Sequence, residues 1–319
     1  MNVLITGSSG FLGSNFTLNF KACGWSVTGL DIRSPVFAMP DSFVLGDVRD
    51  SALVFEALRT FKPDIVLHLA AFSTVQQGLQ APSETWSVNY GGTKTILQAV
   101  HDFLPDAFFV YASTDKVYGE LTQAGGYIED MPLSPLRTSP YDCSKAAADK
   151  LVRSYSRTFI LRFCNIYGPF DESRSRVVPS GIRSVLCGRH PVLKRYVDGG
   201  GSVKDFYRDM LFAGDLAGTV RKFFTLIMSG ASFCGHSVFN LGTSEPVSMK
   251  TILEKISEAL DFSEPPEEQI ISASDEIHSQ SMNCSRAKKY LGFTPATSLE
   301  EGIRNTAEWW KNYREAVIK

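Results

Sequence analysis

Gly7, Gly10 and Gly13 form a G-x-x-G-x-x-G run directly after the apolar segment 3–6 and at the start of a helical pattern over 12–23. Few features constrain a fold more. A tight strand-to-helix turn needs a residue without Cβ, close approach to a pyrophosphate needs a second, and helix-on-strand packing needs a third. The helix N-terminus then offers N–H donors and the positive end of its dipole to an anion. The strand before and the helix after supply the context a glycine triplet requires. Asp31 follows a second predicted strand, 26–30, and lies 18 residues beyond Gly13. A carboxylate there accepts from a ribose 2′-hydroxyl and repels a 2′-phosphate, which favours NAD over NADP. Arg33, two residues on, keeps NADP open. Asp47 and Val48 follow a third strand region. The acid there either meets an adenine amino group or is a solvated loop carboxylate.

Beyond this unit, short apolar runs keep alternating with helical patterns. Strands are predicted at 65–71, 108–113, 160–165 and Val238–Leu241, and helices at 51–61, 84–103 and 141–157. The runs at 65–71 and 108–113 are apolar almost throughout, as befits parallel strands covered on both faces. Repeated βαβ units imply right-handed crossovers and an α/β Rossmann-type doubly wound parallel sheet. The alternation weakens after about residue 167, and further helices are expected at 248–260 and 298–315. The predicted organisation is therefore interleaved: residues 1–166 with about 210–244 in a dinucleotide-binding domain, and about 167–209 with 245–319 in a smaller α/β substrate lobe. Asp261 to Glu268 reads as a solvated acidic loop.

Composition narrows the function classes. A chain of 319 residues accommodates about two lobes. Lys and Arg number 32 against 34 Asp and Glu, a net charge of −2, so no nucleic-acid partner held by a broad basic surface is expected. No apolar run reaches about 18 residues, so no membrane span is expected. The start Met1-Asn2-Val3-Leu4 enters a strand without a basic region, which argues against a signal peptide. Six cysteines occur without a C-x-x-C pair. They are expected to be reduced thiols in a cytoplasmic protein, with no zinc or other metal site.

Tyr141 and Lys145 are spaced Y-x-x-x-K on a predicted helix, a separation that puts both on one face. A cationic lysine beside a phenol favours the phenolate and makes a base near neutral pH. Thr114, at the C-terminal end of the strand 108–113, is placed where ligands bind in such sheets and completes a hydroxyl relay.

With these residues in view, the chain resembles the extended short-chain dehydrogenase/reductases that act on nucleotide sugars. The resemblance spans nearly the whole chain. It rests on Thr6-Gly7-Ser8-Ser9-Gly10-Phe11-Leu12-Gly13, His68-Leu69-Ala70-Ala71, Asn89 with Gly92-Thr93, Ser113-Thr114-Asp115-Lys116-Val117-Tyr118-Gly119, Tyr141 to Lys145, Arg162 with Asn165-Ile166-Tyr167-Gly168-Pro169, Arg208-Asp209 with Asp215-Leu216, and Asn240-Leu241-Gly242. It implies a cofactor, NAD, held by Gly7, Gly10, Phe11, Leu12, Gly13, Asp31, Asp47, Val48, Ala70, Tyr141 and Lys145. It implies a nucleoside-diphosphate sugar as substrate. Thr114 would bond the sugar O4, Tyr141 would remove its proton, and Lys145 would hold the nicotinamide ribose. Asn165 and Arg208 match positions at the diphosphate. Val178, Pro179 and the segment around Val192 match positions that grip the base. A homodimer, formed through helices at 84–103 and 141–157, is also implied.

Oxidation at C4 is half of a cycle, and its sequel separates the members of this family. A 4-epimerase returns the hydride to C4 and needs no further acid or base. A 4,6-dehydratase removes the C5 proton, expels the C6 hydroxyl as water and returns the hydride to C6. Asp115 and Lys116 supply the extra titratable pair, and Thr-Asp-Lys resembles dehydratases of this family. Asp115 would protonate the departing hydroxyl; Lys116 would be the C5 base or would hold the carboxylate. A solvated ion pair, with epimerase or 4-dehydrogenase activity, is the alternative. A non-catalytic NAD-sensing protein on this fold typically lacks the Tyr or the Lys, and this chain keeps both. Lys194, Arg195 and Lys204, in an insertion containing Gly199-Gly200-Gly201, read equally as phosphate ligands or solvated charges. Gln76 and Gln77 read as loop amides near the sugar or in solvent. His68 reads as a core histidine, and Trp309 and Trp310 as packing.

Overall fold

The computed structural model describes residues 1–122, 124–273 and 276–318, with the backbone alone described for 314–318. By its contacts the chain divides into two compact units. One is Met1–Gly119, Glu129–Phe163 and Ala217–Phe239; the other is Glu120–Ile128, Cys164–Leu216 and Asn240–Lys319. The second unit thus takes residues 120–128, 164–166, 210–216 and 240–244, which the sequence reading placed in the dinucleotide-binding domain. Of its expected range, 274, 275 and 319 lie outside the described residues.

The first unit alternates β1 (Asn2–Thr6), α1 (Phe11–Lys21), β2 (Ser26–Asp31), β3 (Ser42–Leu45), α2 (Ser51–Phe61), β4 (Ile65–His68), α3 (Val75–Gln80), α4 (Pro82–Trp86), α5 (Thr93–Phe103), β5 (Phe108–Thr114), α6 (Pro140–Val152) and β6 (Thr158–Phe163). A seven-stranded sheet runs in the order Val238–Leu241, β6, β5, β4, β1, β2, β3. The five pairings from β6 to β3 are parallel. Strand order reverses between β1 and β4, where Thr6 lies opposite His68 at the carboxyl ends. Such switch points open the crevice in which α/β sheets bind ligands.

Burial explains the layering. Every residue of β4 is buried, as a strand covered on both faces requires. Val54 and Leu58 of α2, Ile96, Leu97 and Val100 of α5, and Ala148 and Val152 of α6 share one core with Leu4, Val66 and Phe109 of the strands. Each such Val, Leu or Ile side chain contributes about 2 kcal/mol by leaving water. Against α1, an aromatic set forms instead: the Phe20 ring lies 5.0 Å from Trp25 and 5.4 Å from Phe224 of the helix Ala213–Met228. Local chemistry sets the helix starts. Asp50 accepts from the backbone N–H groups of Ala52 and Leu53 to cap α2. Ser139 accepts from Asp142 N–H to cap α6, and Pro140 presets the first turn.

The helix expected at 84–103 is one continuous run from Pro82 to Phe103, in which a π-helical turn, Ser87–Gly92, joins α4 to α5. Two expectations need correction. The strand expected at 160–165 ends at Phe163; Asn165–Tyr167 forms a separate parallel pair with Met210–Phe212. Gln76 and Gln77 stand on α3 rather than a loop, and the Gln77 amide oxygen accepts from Ser73 N–H and Thr74 Oγ1.

In the second unit, Val192–Val197 pairs with Glu267–Ile271 and Val203–Asp205, so part of the expected acidic loop is a strand. Its core gathers Val178 and Ile182 with Ile252, Leu253, Ile256 and Ile303. Among the described residues, no helix is long and apolar enough to cross a membrane.

Candidate active site

The glycine run bends where β1 meets α1. Gly7 has φ +71°, and a Cβ on it would stand 2.8 Å from Ala70 N. A Cβ on Gly13 would run into the Gly7 carbonyl. Gly10 caps α1 without any side-chain bond. Phe11 and Leu12 are the first two residues of that helix. Asp31 ties the loop: one carboxylate oxygen accepts from Ser9 N–H and the other from Arg33 N–H, both at 3.0 Å. This floor free of side chains, the uncapped helix end and the buried carboxylate fit a dinucleotide. Asp47 is a half-buried, ion-paired carboxylate: Arg49 donates to both its oxygens and holds it below the usual carboxylate range. Val48 is a core side chain, in reach of Gly92.

Thr114 ends β5, and Asp115–Tyr118 follows as one 3₁₀ turn. The Thr114 hydroxyl accepts from Lys116 N–H at 3.3 Å and donates to Asp115 Oδ1 at 3.1 Å. Thr114 and Asp115 are buried, and Lys116 is half-buried. Tyr141 and Lys145 lie on successive turns of α6, both buried. Lys145 Nζ donates to the Ala112 carbonyl of β5 and stands 4.1 Å from the centre of the Tyr111 ring. The same end of β5 therefore meets the lysine and carries the Thr-Asp-Lys turn. Burial pulls the Lys145 ammonium down to about 7, with Asp149 acting the other way. Gly78 of α3 lies against Tyr141; a Cβ there would be 3.0 Å from the tyrosine N and Cβ.

Two buried networks support these groups. In the first, Thr6 Oγ1 accepts from Leu69 and Ala70 N–H and meets His68 Nδ1 at 2.7 Å. His68 Nε2 meets Thr93 Oγ1 at 3.0 Å, and the Thr93 hydroxyl donates to the Asn89 carbonyl at 2.6 Å. Each hydroxyl has one proton, so Thr6 donates to Nδ1 and the imidazole carries its hydrogen on Nε2. The ring is neutral, as burial holds it near 3, assisted by the Lys145 charge. His68 is thus a satisfied core histidine. Asn89 Nδ2 donates to Ser144 Oγ, which donates to the Tyr141 carbonyl at 2.9 Å. The second network joins Asp149, Arg162, Ser113 and Tyr118. Sequence reasoning gave Ser144, Asp149 and Tyr111 no role. For Asp149 a signal existed, since it lies four residues beyond Lys145 on the same helix face.

Among the second-unit candidates, Asn165 is half-buried and its amide reaches Gln280 Oε1 at 3.5 Å. Arg208 is 3% exposed and ion-paired with Glu276 at 2.5 Å, and it also donates to the Tyr207 and His278 carbonyls. Val178 needs correction as a base contact: its side chain is 1% exposed and belongs to the core, on the inward face of the amphipathic helix Val177–Leu186. Val192 is exposed. Arg195 is engaged by Asp205 at 2.8 Å and Glu268 at 3.3 Å, and Lys204 by Asp198 at 3.6 Å. Arg195 and Lys204 are therefore ion-paired with carboxylates, and Lys194 is exposed. Trp309 and Trp310 pack, their rings 5.3 Å apart.

Residues 3–242 match the NAD dependent epimerase/dehydratase family, and the chain belongs to that family, with NAD as its cofactor. Among relatives, the dTDP-glucose 4,6-dehydratase of Xanthomonas campestris is 33% identical over 96% of this chain and 92% of its own length. The fold is similar to DesIV, a dTDP-glucose 4,6-dehydratase of Streptomyces venezuelae solved with NAD: TM-score 0.84, 27% identity, 99% and 98% coverage. It is equally similar to a Thermus thermophilus UDP-glucose 4-epimerase solved with NAD, with TM-score 0.84, 28% identity, and 98% and 99% coverage. The chain is a sugar-nucleotide dehydratase/epimerase-type enzyme.

Proposed function

We propose that this chain is a nucleoside-diphosphate-sugar 4,6-dehydratase, yielding a 4-keto-6-deoxy sugar nucleotide. The observation that carries the reading is the Thr114-Asp115-Lys116 turn, which places a buried carboxyl group directly against the hydroxyl assigned to the sugar O4. A relative named dTDP-glucose 4,6-dehydratase at 33% identity supports it. A 4-epimerase needs Tyr141, Lys145 and Thr114 alone and leaves the buried Asp115 without chemistry.

The glycine run, Asp31 and Lys145 would hold NAD, which would supply a reversible hydride acceptor for C4 and hydride donor for C6. Tyr141, as phenolate, takes the proton of the 4-hydroxyl while Thr114 orients that oxygen. Lys145 favours the phenolate by its charge. The resulting C4 carbonyl acidifies the C5–H bond. Asp115, in its carboxylic acid form, gives its proton to the C6 oxygen, which departs as water. Lys116 takes the C5 proton or holds the Asp115 carboxylate. Hydride arriving at C6 and a proton returning to C5 complete the methyl and methine carbons, so the net change is loss of one water. Asn165 and Arg208 are assigned to the diphosphate.

The test is incubation with a panel of nucleotide sugars, followed by mass spectrometry and the alkali-induced chromophore of a 4-keto-6-deoxy sugar. Loss of one water with the chromophore is expected. A product of unchanged mass overturns the reading in favour of epimerisation.

A further inference from the structure

Arg162 heads the fully buried side chains by size among the described residues. Its guanidinium joins three elements. Nε and Nη2 fork onto the two Asp149 oxygens at 2.9 and 2.8 Å, with both side chains 0% exposed. Nη1 donates to the Tyr118 hydroxyl at 2.7 Å and to the Glu129 carbonyl at 3.0 Å. The guanidinium carbon also stands 4.9 Å from the centre of the Tyr118 ring. Ser113 Oγ, just ahead of Thr114, donates to Asp149 Oδ2 at 2.8 Å.

The placement of these groups is informative. Arg162 lies on β6. Asp149 lies on α6, one turn past Lys145 and two past Tyr141. Tyr118 ends the 3₁₀ turn that begins with Asp115 and Lys116. Stability is a weak reason for such a pair, because well-packed apolar side chains often replace a buried ion pair without loss. Geometry is a better one. A guanidinium is planar and permanently charged, and its fork fixes both distance and angle to a carboxylate. Reacting groups must be held within a fraction of an ångström of their productive positions.

We infer that Arg162 is a positioning residue that registers the Asp115–Lys116 turn against the helix bearing Tyr141 and Lys145, acting through Tyr118 on one side and Asp149 on the other. The inference rests on the dehydratase reading, in which the turn serves the C6 oxygen and the helix serves O4. Cutting the Tyr118 link uncouples the two: oxidation at C4 continues and elimination at C5–C6 falters. A purely structural role lowers both together.

Tyr118→Phe keeps the ring under the guanidinium and leaves Arg162 its Asp149 and Glu129 partners, so folding is retained and is checked by thermal melting. With the NAD-loaded full chain and one nucleotide sugar that the wild type dehydrates, two rates are compared: single-turnover absorbance of reduced nicotinamide, and water loss by mass spectrometry. Elimination is expected to fall about tenfold or more while nicotinamide reduction stays within about twofold. Equal losses in both rates, or no loss in either, overturn the inference while the dehydratase reading stands. A wild type that releases no water from any nucleotide sugar overturns that reading, and the inference with it.

Discussion

Lys145 in the first unit and Arg208 in the second are both buried cations, and their surroundings differ in kind. Lys145 rests on a backbone carbonyl and an aromatic face, with Asp149 acting on it only from a distance, and burial brings its ammonium down to about 7. Arg208 sits against the Glu276 carboxylate. A cation short of countercharge gains from any anion formed beside it, which is what a tyrosine base requires of its lysine. A cation already holding a carboxylate is different. It must exchange that partner for another anion, so a phosphate at Arg208 has to displace Glu276. In the proposed reading, the first arrangement would activate a neighbour and the second would await a ligand.

Four substitutions press on this contrast. The largest effect belongs to the Tyr141–Lys145 side: Tyr141→Phe should lower turnover by about a hundredfold or more, the usual weight of a general base. Steady-state product formation measures it, and wild-type turnover would remove the reason for an underpaired lysine. Next, Asp115→Asn should cut water release by about a hundredfold, while single-turnover nicotinamide reduction persists. Joint loss of both would show that Asp115 serves the oxidation as well. A smaller gain is expected on the other side. Glu276→Gln should tighten binding of a nucleoside diphosphate by about fivefold at low salt, and less at high salt, as for one partly exposed ion pair. Titration calorimetry reads this directly, and weaker or unchanged binding would deny Arg208 its anion.

The smallest effect is on stability against pH. The Lys145 ammonium is held at about 7 in the fold against 10.5 in an unfolded chain. Between those values the unfolded chain keeps a proton that the folded one releases. Stability from this group therefore rises as pH increases through that window. Lys145→Met should flatten the rise in thermal melts of the NAD-free protein; an unchanged slope would mean that the ammonium is not short of countercharge.

The contrast also tracks what the sequence made legible. Gly7, Gly10, Gly13, Asp31, Thr114, Tyr141 and Lys145 do their work at fixed local spacing, so periodicity and motif located them on the right elements. The 84–103 segment reads as one helix because its apolar pattern is continuous, and it lies within one helical run in the fold; its π-helical turn, where the Asn89 amide reaches across to the backbone of Phe72 17 residues away, has no local signal. The partner of Arg208 lies 68 residues away, and the buried fork of Arg162 joins two different elements. No local pattern announces either. Resemblance assigns Val178 to the base but does not say which way a side chain turns; in the fold it lies on the core face of the helix Val177–Leu186.

A nucleotide sugar labelled with deuterium at C4 tests the proposed chemistry most directly. A dehydratase that carries hydride from C4 to C6 yields a product lighter by one water with the deuterium on the C6 methyl group. Deuterium remaining at C4 of a product of unchanged mass, or lost into released reduced nicotinamide, would contradict it.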